Sequence, residues 1–187
     1  KSHGFGDNVQ PWTRGVDREI FKPAERKANK KLVLLNVGRV SKEKNLEKFY
    51  QIDIRNCQKI QVGDGPMLGK YIKRYPDVNF VGSKRGVELA HYYQQADVFV
   101  FPSCWDTFGI VMIEAMACGT PVAAYPVQGP IDVIDNDITG VMDANLSTAI
   151  KKALNLDREN VYNKSTKWSW ERAWEIFRDN FISTGTL

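Results

Sequence analysis

The fold is decided by residues 98–125, which read VFVFPSCWDTFGIVMIEAMACGTPVAAY. The short, mostly apolar run Asp97–Phe101 predicts a buried strand. The apolar stretch Ile110–Ala117, closed by Gly119, predicts a helix. Pro121–Tyr125 predicts the next strand. Two buried strands joined through a helix form a parallel β-α-β unit.

The same alternation continues on both sides of this unit. Further strands are predicted at Leu32–Val37, Lys59–Val62 and Val78–Val81. Further helices are predicted at Asn45–Ile54, Met67–Tyr75, Gly86–Gln95, Asn145–Leu154 and Trp168–Phe181. Repeated alternation of this kind predicts an α/β, Rossmann-like fold, a doubly wound parallel sheet with helices on both faces. Ligands of such sheets bind beyond the carboxyl ends of the strands.

The length of the chain indicates the number of domains, and its net charge indicates the kind of ligand. The 187 residues, 43% of them hydrophobic, suffice for about one domain. We assign residues 31–187 to a single domain that ends in a long helix, and residues 1–30 to an interdomain linker segment. The net charge of 26 − 22 = +4 indicates no nucleic-acid partner but suits a phosphate-bearing ligand. Because the chain opens KSHGFGDNVQ without Met, we expect it to be part of a longer protein.

Cysteine content and hydropathy bear on the compartment. Three cysteines without paired spacing favour the reducing cytoplasm, and no apolar run approaches the roughly 20 residues that span a bilayer. The basic run Lys22–Lys31 leaves two interpretations open: a solvated linker, which we favour, or contact with anionic lipid at the cytoplasmic face of a membrane. Trp168, Trp170 and Trp174 are expected to anchor the last helix in the core, with a stacking platform for bases or sugars as the alternative.

The loop after the first strand carries a glycine and two cations. Gly38 lets the backbone approach a ligand closely. Arg39 offers a forked donor set and Lys44 a point charge, and both suit phosphate oxygens. A solvated basic loop remains the alternative on spacing alone.

The loop after Phe101 carries two carboxylates around a predicted helix start near Phe108 or Gly109. The free N–H groups of that start form an anion site at the sheet edge. Asp106 precedes it, and Glu114 lies inside an otherwise apolar helix, where an unpartnered carboxylate is costly. Hydroxyl groups of a sugar or ribose as hydrogen-bond donors explain both positions. The alternative makes Asp106 the N-cap and Glu114 a solvent-facing residue.

Two other patterns predict turns rather than sites. Gly63-Asp64-Gly65-Pro66 only partly matches a dinucleotide fingerprint, because the next glycine comes one residue late. Asp135-Asn136-Asp137 resembles an acidic metal motif but lies in a polar turn. His3 and His91 are the only histidines, and neither is at ligand spacing from a cysteine. We therefore predict no metal site.

Six motifs in order resemble the C-terminal half of family 4 glycosyltransferases, which have the GT-B fold. They cover nearly the whole chain and are carried by Arg14-Gly15-Val16-Asp17 with Phe21 and Pro23, Gly38-Arg39 with Glu43-Lys44, Val62–Pro66, Phe80-Val81-Gly82, Pro102–Val122 and Ser169-Trp170-Glu171. Two positions depart from the family pattern: Arg14 replaces the usual Asn, and Asp106 is one methylene shorter than the usual Glu.

The resemblance implies a role for each site residue. Arg39 and Lys44 would hold the donor's diphosphate, Glu114 the ribose hydroxyls, and Asp106 would face the transferred sugar; these four are the expected catalytic residues. The backbone amides of Phe108, Gly109 and Ile110 would meet the sugar or phosphate. Gly38, Gly63 and Gly82 complete the expected donor-binding set.

The implied activity is a retaining, metal-independent transfer of a hexosyl group from a UDP- or GDP-hexose to a glycan or lipid-linked acceptor. In this fold the acceptor binds an N-terminal domain for which this chain has no residues. We therefore expect the chain alone to bind nucleotide without transferring sugar. Two alternatives are a donor-binding domain of another GT-B enzyme, such as an epimerase or phosphorylase, and a non-catalytic nucleotide-binding module.

Overall fold

The computed structural model of the chain describes residues 13–26, 30–106 and 108–179. At its centre is a six-stranded sheet in which all neighbouring strands are parallel. The strands are β1 (Leu32–Val37), β2 (Cys57–Val62), β3 (Val78–Phe80), β4 (Val98–Phe101), β5 (Val122–Ala124) and β6 (Gly140–Met142). Their spatial order is β3-β2-β1-β4-β5-β6. This confirms the predicted doubly wound α/β fold.

The helices cover both faces of the sheet. They are α1 (Leu46–Tyr50), α2 (Leu68–Arg74), α3 (Gly86–Gln95), α4 (Ile110–Ala117), α5 (Pro130–Val133), α6 (Leu146–Ala153), α7 (Arg158–Lys164) and α8 (Trp170–Asp179). Helices α1, α2 and α6 bury their apolar side chains in one core. Helices α3, α4, α5 and α7 bury theirs in a second core on the opposite face. The buried strands, apolar on both sides, separate the two cores.

A crevice opens where β1 and β4 diverge. β1 pairs with β2 along its whole length, but with β4 only at Leu34↔Val98 and Leu35↔Phe99. One residue further on, the side-chain Nδ2 of Asn36 donates a hydrogen bond to the carbonyl oxygen of Val100 at 2.8 Å. The strand order reverses at this point, so the connections on either side leave in opposite directions and expose the carboxyl edge.

The helix predicted at Asn45–Ile54 is shorter than expected. A 3-10 turn over Lys42–Lys44 ends at Asn45, which adopts a left-handed conformation with φ 54° and separates the turn from α1. The helix ends at Tyr50, and the buried ammonium of Lys59 on β2 bonds the carbonyl oxygens of Tyr50 and Ile52 at this point.

Three elements, α5, β6 and α7, were not predicted from the sequence, and two tryptophans lie elsewhere than expected. Of the three expected core anchors, only Trp168 is buried, whereas Trp170 and Trp174 are 51% and 60% exposed. Their positions on α8 place them away from the sheet. The predicted end of that helix at Phe181 lies outside the described residues.

Part of the predicted linker segment packs in the core. Val16 and Phe21 are buried together with Trp168, and the backbone N–H of Val16 donates to the carbonyl oxygen of Trp168 at 3.0 Å. The backbones approach so closely that a Cβ on Gly15 would lie 2.3 Å from the backbone nitrogen of Trp170. Of the predicted basic run, Lys27 lies outside the described residues. No helix among the described ranges is long and apolar enough to cross a membrane.

Candidate donor-binding site

A cavity of about 550 Å³ lies at the crevice between β1 and β4. It is enclosed by the loops that follow the two strands and by the first turn of α4. Its lining residues are Arg14, Asn36, Val37, Gly38, Arg39, Glu43, Lys44, Leu46, Phe101, Pro102, Ser103, Asp106, Phe108, Gly109, Ile110 and Val111. Three cations and two carboxylates line it, so the lining carries a net charge of 3 − 2 = +1. A positive cavity of this size suits a small anionic ligand.

Lys44 and Asp106 meet inside this cavity. The Lys44 Nζ lies 2.9 Å from both carboxylate oxygens of Asp106, so the carboxylate accepts from the ammonium with both oxygens. The side chains retain 29% and 19% of their exposure. Asp106 is therefore an ion-pair partner of Lys44 and not the helix N-cap of the alternative interpretation.

The loops that carry this pair are joined a second time. The Asn45 Nδ2 donates to the carbonyl oxygen of Pro102 at 3.0 Å. On the same loop, the Ser41 hydroxyl donates to Glu43 at 2.6 Å, and this hydrogen bond lowers the pKa of Glu43. The loops after β1 and β4 are thus joined to each other beside Arg39 and Lys44.

Helix α4 begins at the wall of the cavity. Gly109 is its N-cap, with φ 75° and ψ 63°, a left-handed conformation that glycine adopts without steric cost. Phe108, Gly109 and Ile110 all line the cavity, as does Val111. The first N–H groups of a helix lack intrahelical acceptors and carry partial positive charge, so this end favours an anion.

Glu114 lies one turn deeper and does not line the cavity. It is neither solvent-facing nor unpartnered, because the buried Tyr93 hydroxyl donates to its Oε2 at 2.8 Å. Burial raises the pKa of Glu114, and the hydrogen bond from Tyr93 opposes that shift. Its carboxylate keeps acceptor capacity beyond the bond to Tyr93.

Gly63 and Gly82 also lie outside the cavity lining, further along the carboxyl edge. They connect to Gly38 through the backbone: the Gly38 N–H donates to the Val62 carbonyl at 3.0 Å, and the Gly63 N–H to the Gly82 carbonyl at 2.8 Å. A Cβ on Gly63 would lie 2.0 Å from the Gly38 oxygen. The three glycines are therefore linked through the backbone along this edge, and of the three only Gly38 lines the cavity.

The structure adds two residues that the sequence analysis did not assign. Asn36 lines the cavity floor, and its Oδ1 has no hydrogen-bond partner among the described residues. A lone polar residue in the apolar run Leu32–Val37 was the available signal. Tyr93, the partner of Glu114, left no such signal, because in the sequence it reads as one more buried position of α3, like Leu89 and Ala90. Among the residues that the structure describes, no three His, Cys, Asp or Glu side chains converge as metal ligands would.

Comparison with protein families gives one match over most of the chain. Residues 17–168 match the family described as "Glycosyl transferases group 1". The chain is 35% identical over 152 residues to a GDP-mannose-dependent alpha-mannosyltransferase of Corynebacterium glutamicum, covering 76% of the chain and 37% of the relative. It is 36% identical over 149 residues to a sulfoquinovosyl transferase of Arabidopsis thaliana, covering 72% of the chain and 29% of the relative. The chain thus spans less than two fifths of the length of these curated relatives.

Solved structures give the same picture at the level of the fold. Sucrose-phosphate synthase from Thermosynechococcus elongatus superimposes with a TM-score of 0.75 at 27% identity, covering 88% of this chain and 50% of that one. The Anabaena protein HepE, solved in complex with UDP, superimposes with a TM-score of 0.70 over 88% of this chain and 55% of that one. At 17% identity, the second likeness shows the fold alone.

Proposed function

The chain belongs to the glycosyl transferases group 1 family, and on that premise we propose that it is the donor-binding domain of a glycosyltransferase. The ligand is a nucleotide-diphosphate sugar, bound at the crevice between β1 and β4. The observation that carries the proposal is the cavity that brings Arg39, Lys44 and the start of α4 together at the switch point of the sheet.

The proposed chemistry is electrostatic. Breaking the bond between the sugar's anomeric carbon and the diphosphate oxygen leaves negative charge on the diphosphate. Arg39 contributes a forked guanidinium, Lys44 an ammonium, and α4 the N–H groups of its first turn. Preorganised donors aimed at charge that develops in the transition state lower the barrier most effectively. We propose that these groups stabilise the leaving diphosphate without a metal ion, in a retaining transfer.

The two carboxylates take different parts in this proposal. Asp106 lines the cavity and can accept hydrogen bonds from hydroxyls of the transferred sugar. Glu114 lies deeper, with one oxygen on Tyr93, and the remaining acceptor capacity serves a ribose hydroxyl. Among the expected donor-binding residues, Gly63 and Gly82 would contact the nucleotide end, since they lie along the same edge of the sheet.

The nucleotide remains UDP or GDP in this proposal. The Corynebacterium relative is named for GDP-mannose, and a structure of the Anabaena neighbour holds UDP-glucose. Because the chain spans 37% of the mannosyltransferase, we propose that residues outside it bind a glycan or lipid-linked acceptor. The enzyme would work in the cytoplasm, with contact to the cytoplasmic face of a membrane as an option for a lipid-linked acceptor.

Ligand-induced thermal stabilisation tests the proposal. A ligand that binds only the folded state stabilises it by RT ln(1 + [L]/Kd), or about 2.7 kcal/mol at 100 times Kd. We expect one pair of ligands, either UDP and UDP-glucose or GDP and GDP-mannose, each added separately, to raise the melting temperature of the chain. NADH should leave the melting temperature unchanged. Failure of all four nucleotides to stabilise the chain would contradict donor binding. Sugar transfer by this chain alone would contradict the role given to residues outside it.

A further inference from the structure

The proposed function leaves the ion pair between Lys44 and Asp106 unexplained. The Asp106 carboxylate places both oxygens 2.9 Å from the Lys44 Nζ. A phosphate group presents anionic oxygens to an ammonium at similar distances. Asp106 therefore makes the contact with Lys44 that a bound diphosphate would make.

We infer that Asp106 is the resident anion of the diphosphate subsite: its carboxylate pairs with the Lys44 ammonium and competes with a ligand phosphate for it. The inference rests on the proposed function, because it takes the ligand's diphosphate to bind at Lys44. A phosphate that binds Lys44 while Asp106 remains in place would lie within a few ångströms of a second negative charge. Because the side chains of Lys44 and Asp106 are only partly exposed, solvent screens this repulsion only in part. Release of Asp106 therefore accompanies binding.

The surrounding contacts allow this exchange without opening the wall of the cavity. Asn45, next to Lys44, holds the carbonyl oxygen of Pro102 at 3.0 Å, so the two loops stay joined when the ion pair breaks. Rotation of the Asp106 side chain away from Lys44 is then sufficient. The freed carboxylate remains beside the cavity, where it can accept hydroxyl donors of a bound sugar.

Glu43 provides a control for the charge of the cavity lining. It lines the same cavity and carries the same charge, but its carboxylate accepts a hydrogen bond from the Ser41 hydroxyl at 2.6 Å. The substitution Glu43→Gln removes one negative charge from the cavity lining and leaves the ion pair between Lys44 and Asp106 in place. Glu43 is exposed whereas Asp106 is only partly exposed, so this control measures the effect of a nearby, solvent-screened charge, and equal gains at the two positions would indicate general repulsion.

Calorimetric titration with pyrophosphate, UDP and GDP tests the inference on the 187-residue chain. Asp106→Asn should bind pyrophosphate about fivefold more tightly than the unchanged chain, the scale of a partly exposed ion pair. Glu43→Gln should change the affinity less than twofold. Asp106→Ala and Glu43→Ala repeat the comparison without a new amide donor at either position, and they replace the first pair if Asp106→Asn does not fold. Melting temperatures without ligand establish folding in every variant.

Each outcome decides the matter. Equal gains from the Asp106 and Glu43 variants would reduce the effect to general charge repulsion and overturn the inference. Weaker binding by the Asp106 variants would show that Asp106 positions Lys44 instead of competing for it. Absence of pyrophosphate binding in every variant also overturns the inference. If pyrophosphate binds but UDP and GDP do not, the proposed function fails, and the pyrophosphate comparison still judges the role of Asp106.

Discussion

Lys44 pairs with the Asp106 carboxylate in the structure and, in the proposed complex, with a diphosphate. Replacing it with Ala removes one of the cations that line the cavity. We expect Lys44→Ala to weaken the binding of UDP or GDP by about 1–3 kcal/mol, the range for hydrogen bonds to charged groups. Lys48→Ala is the control, because Lys48 is exposed on α1 and does not line the cavity. Equal losses in calorimetric affinity for the two variants would show that Lys44 does not bind the nucleotide.

The hydrogen bond between Tyr93 and Glu114 leads to a prediction about pH. Burial raises the pKa of Glu114 above 4.5, and the Tyr93 hydroxyl restrains that rise. Between 4.5 and the raised value, the folded chain binds more protons at Glu114 than the unfolded chain does. This group therefore lowers the free energy of unfolding as the pH increases through that window.

Tyr93→Phe should raise the Glu114 pKa further and extend the window to higher pH. It should also cost about 1–3 kcal/mol of stability at neutral pH, because a buried carboxylate oxygen loses its donor. The measurements are a carboxyl carbon NMR titration and urea unfolding at several pH values. Tyr92→Phe, which removes a neighbouring hydroxyl of α3 not bonded to Glu114 in this structure, should change neither. A lower Glu114 pKa in Tyr93→Phe would contradict the assignment.

The contrast between these residues shows what the sequence could predict of the site. Arg39, Lys44 and Asp106 could be placed together because each follows a parallel strand, and the carboxyl ends of such strands meet at one edge. The bond from Tyr93 to Glu114 joins two helices and residues 21 positions apart. Such a contact depends on how α3 and α4 pack, which no periodicity within one helix encodes.

At the scale of single elements, the start of α4 depends on one backbone conformation. Gly109 has a φ of 75°, and a Cβ there would lie 2.7 Å from the Met112 Cε. We expect Gly109→Ala to destabilise the chain by about 1–2 kcal/mol, the cost of the left-handed conformation for a residue with a side chain. Because this turn lines the cavity, the same variant should also weaken nucleotide binding.

Gly69 supplies the control for that substitution. It lies inside α2, exposed, and a Cβ there has no other atom within 4 Å. Gly69→Ala should therefore stabilise the chain by up to about 1 kcal/mol through helix propensity. Thermal melting compares the two variants, and calorimetry measures their nucleotide affinity. A Gly109→Ala variant as stable as Gly69→Ala would show that α4 can begin without glycine.

The helices and strands also differ in how well the sequence predicts them. Helices α3 and α4 were predicted at their observed bounds because an apolar face runs through each and a clear breaker follows α4. Helix α5 has four residues, too few to express a period of 3.6. Strand β6 has only two apolar residues, Val141 and Met142, after a glycine. The early end of α1 could not be predicted, because its cap is Lys59 from another element.

At the scale of the whole molecule, the segment over residues 13–26 contacts two residues whose side chains reach the candidate site, Tyr93 and Trp168. Phe21 packs edge-on against Tyr93, with ring centroids 6.0 Å apart, and Tyr93 holds Glu114. Val16 bonds Trp168, whose ring lies 5.5 Å from that of Phe108 in the cavity wall. Two routes of direct contact thus run from this segment to the candidate donor site.

These contacts lead to a test of the domain boundary predicted at residue 31. A chain that begins at residue 31 lacks Val16 and Phe21, and loss of one buried Phe side chain alone costs about 3–5 kcal/mol. At about 2–4 °C per kcal/mol, we expect it to melt at least about 6 °C below a chain that begins at residue 13. Both chains lack residues 1–12, so the comparison isolates the segment itself. Nucleotide affinity, measured below both melting temperatures, should also fall, because Tyr93 and Trp168 lose their support. Equal melting and affinity would show instead that the segment is a linker without a structural role, and that the domain begins where the sequence analysis placed it.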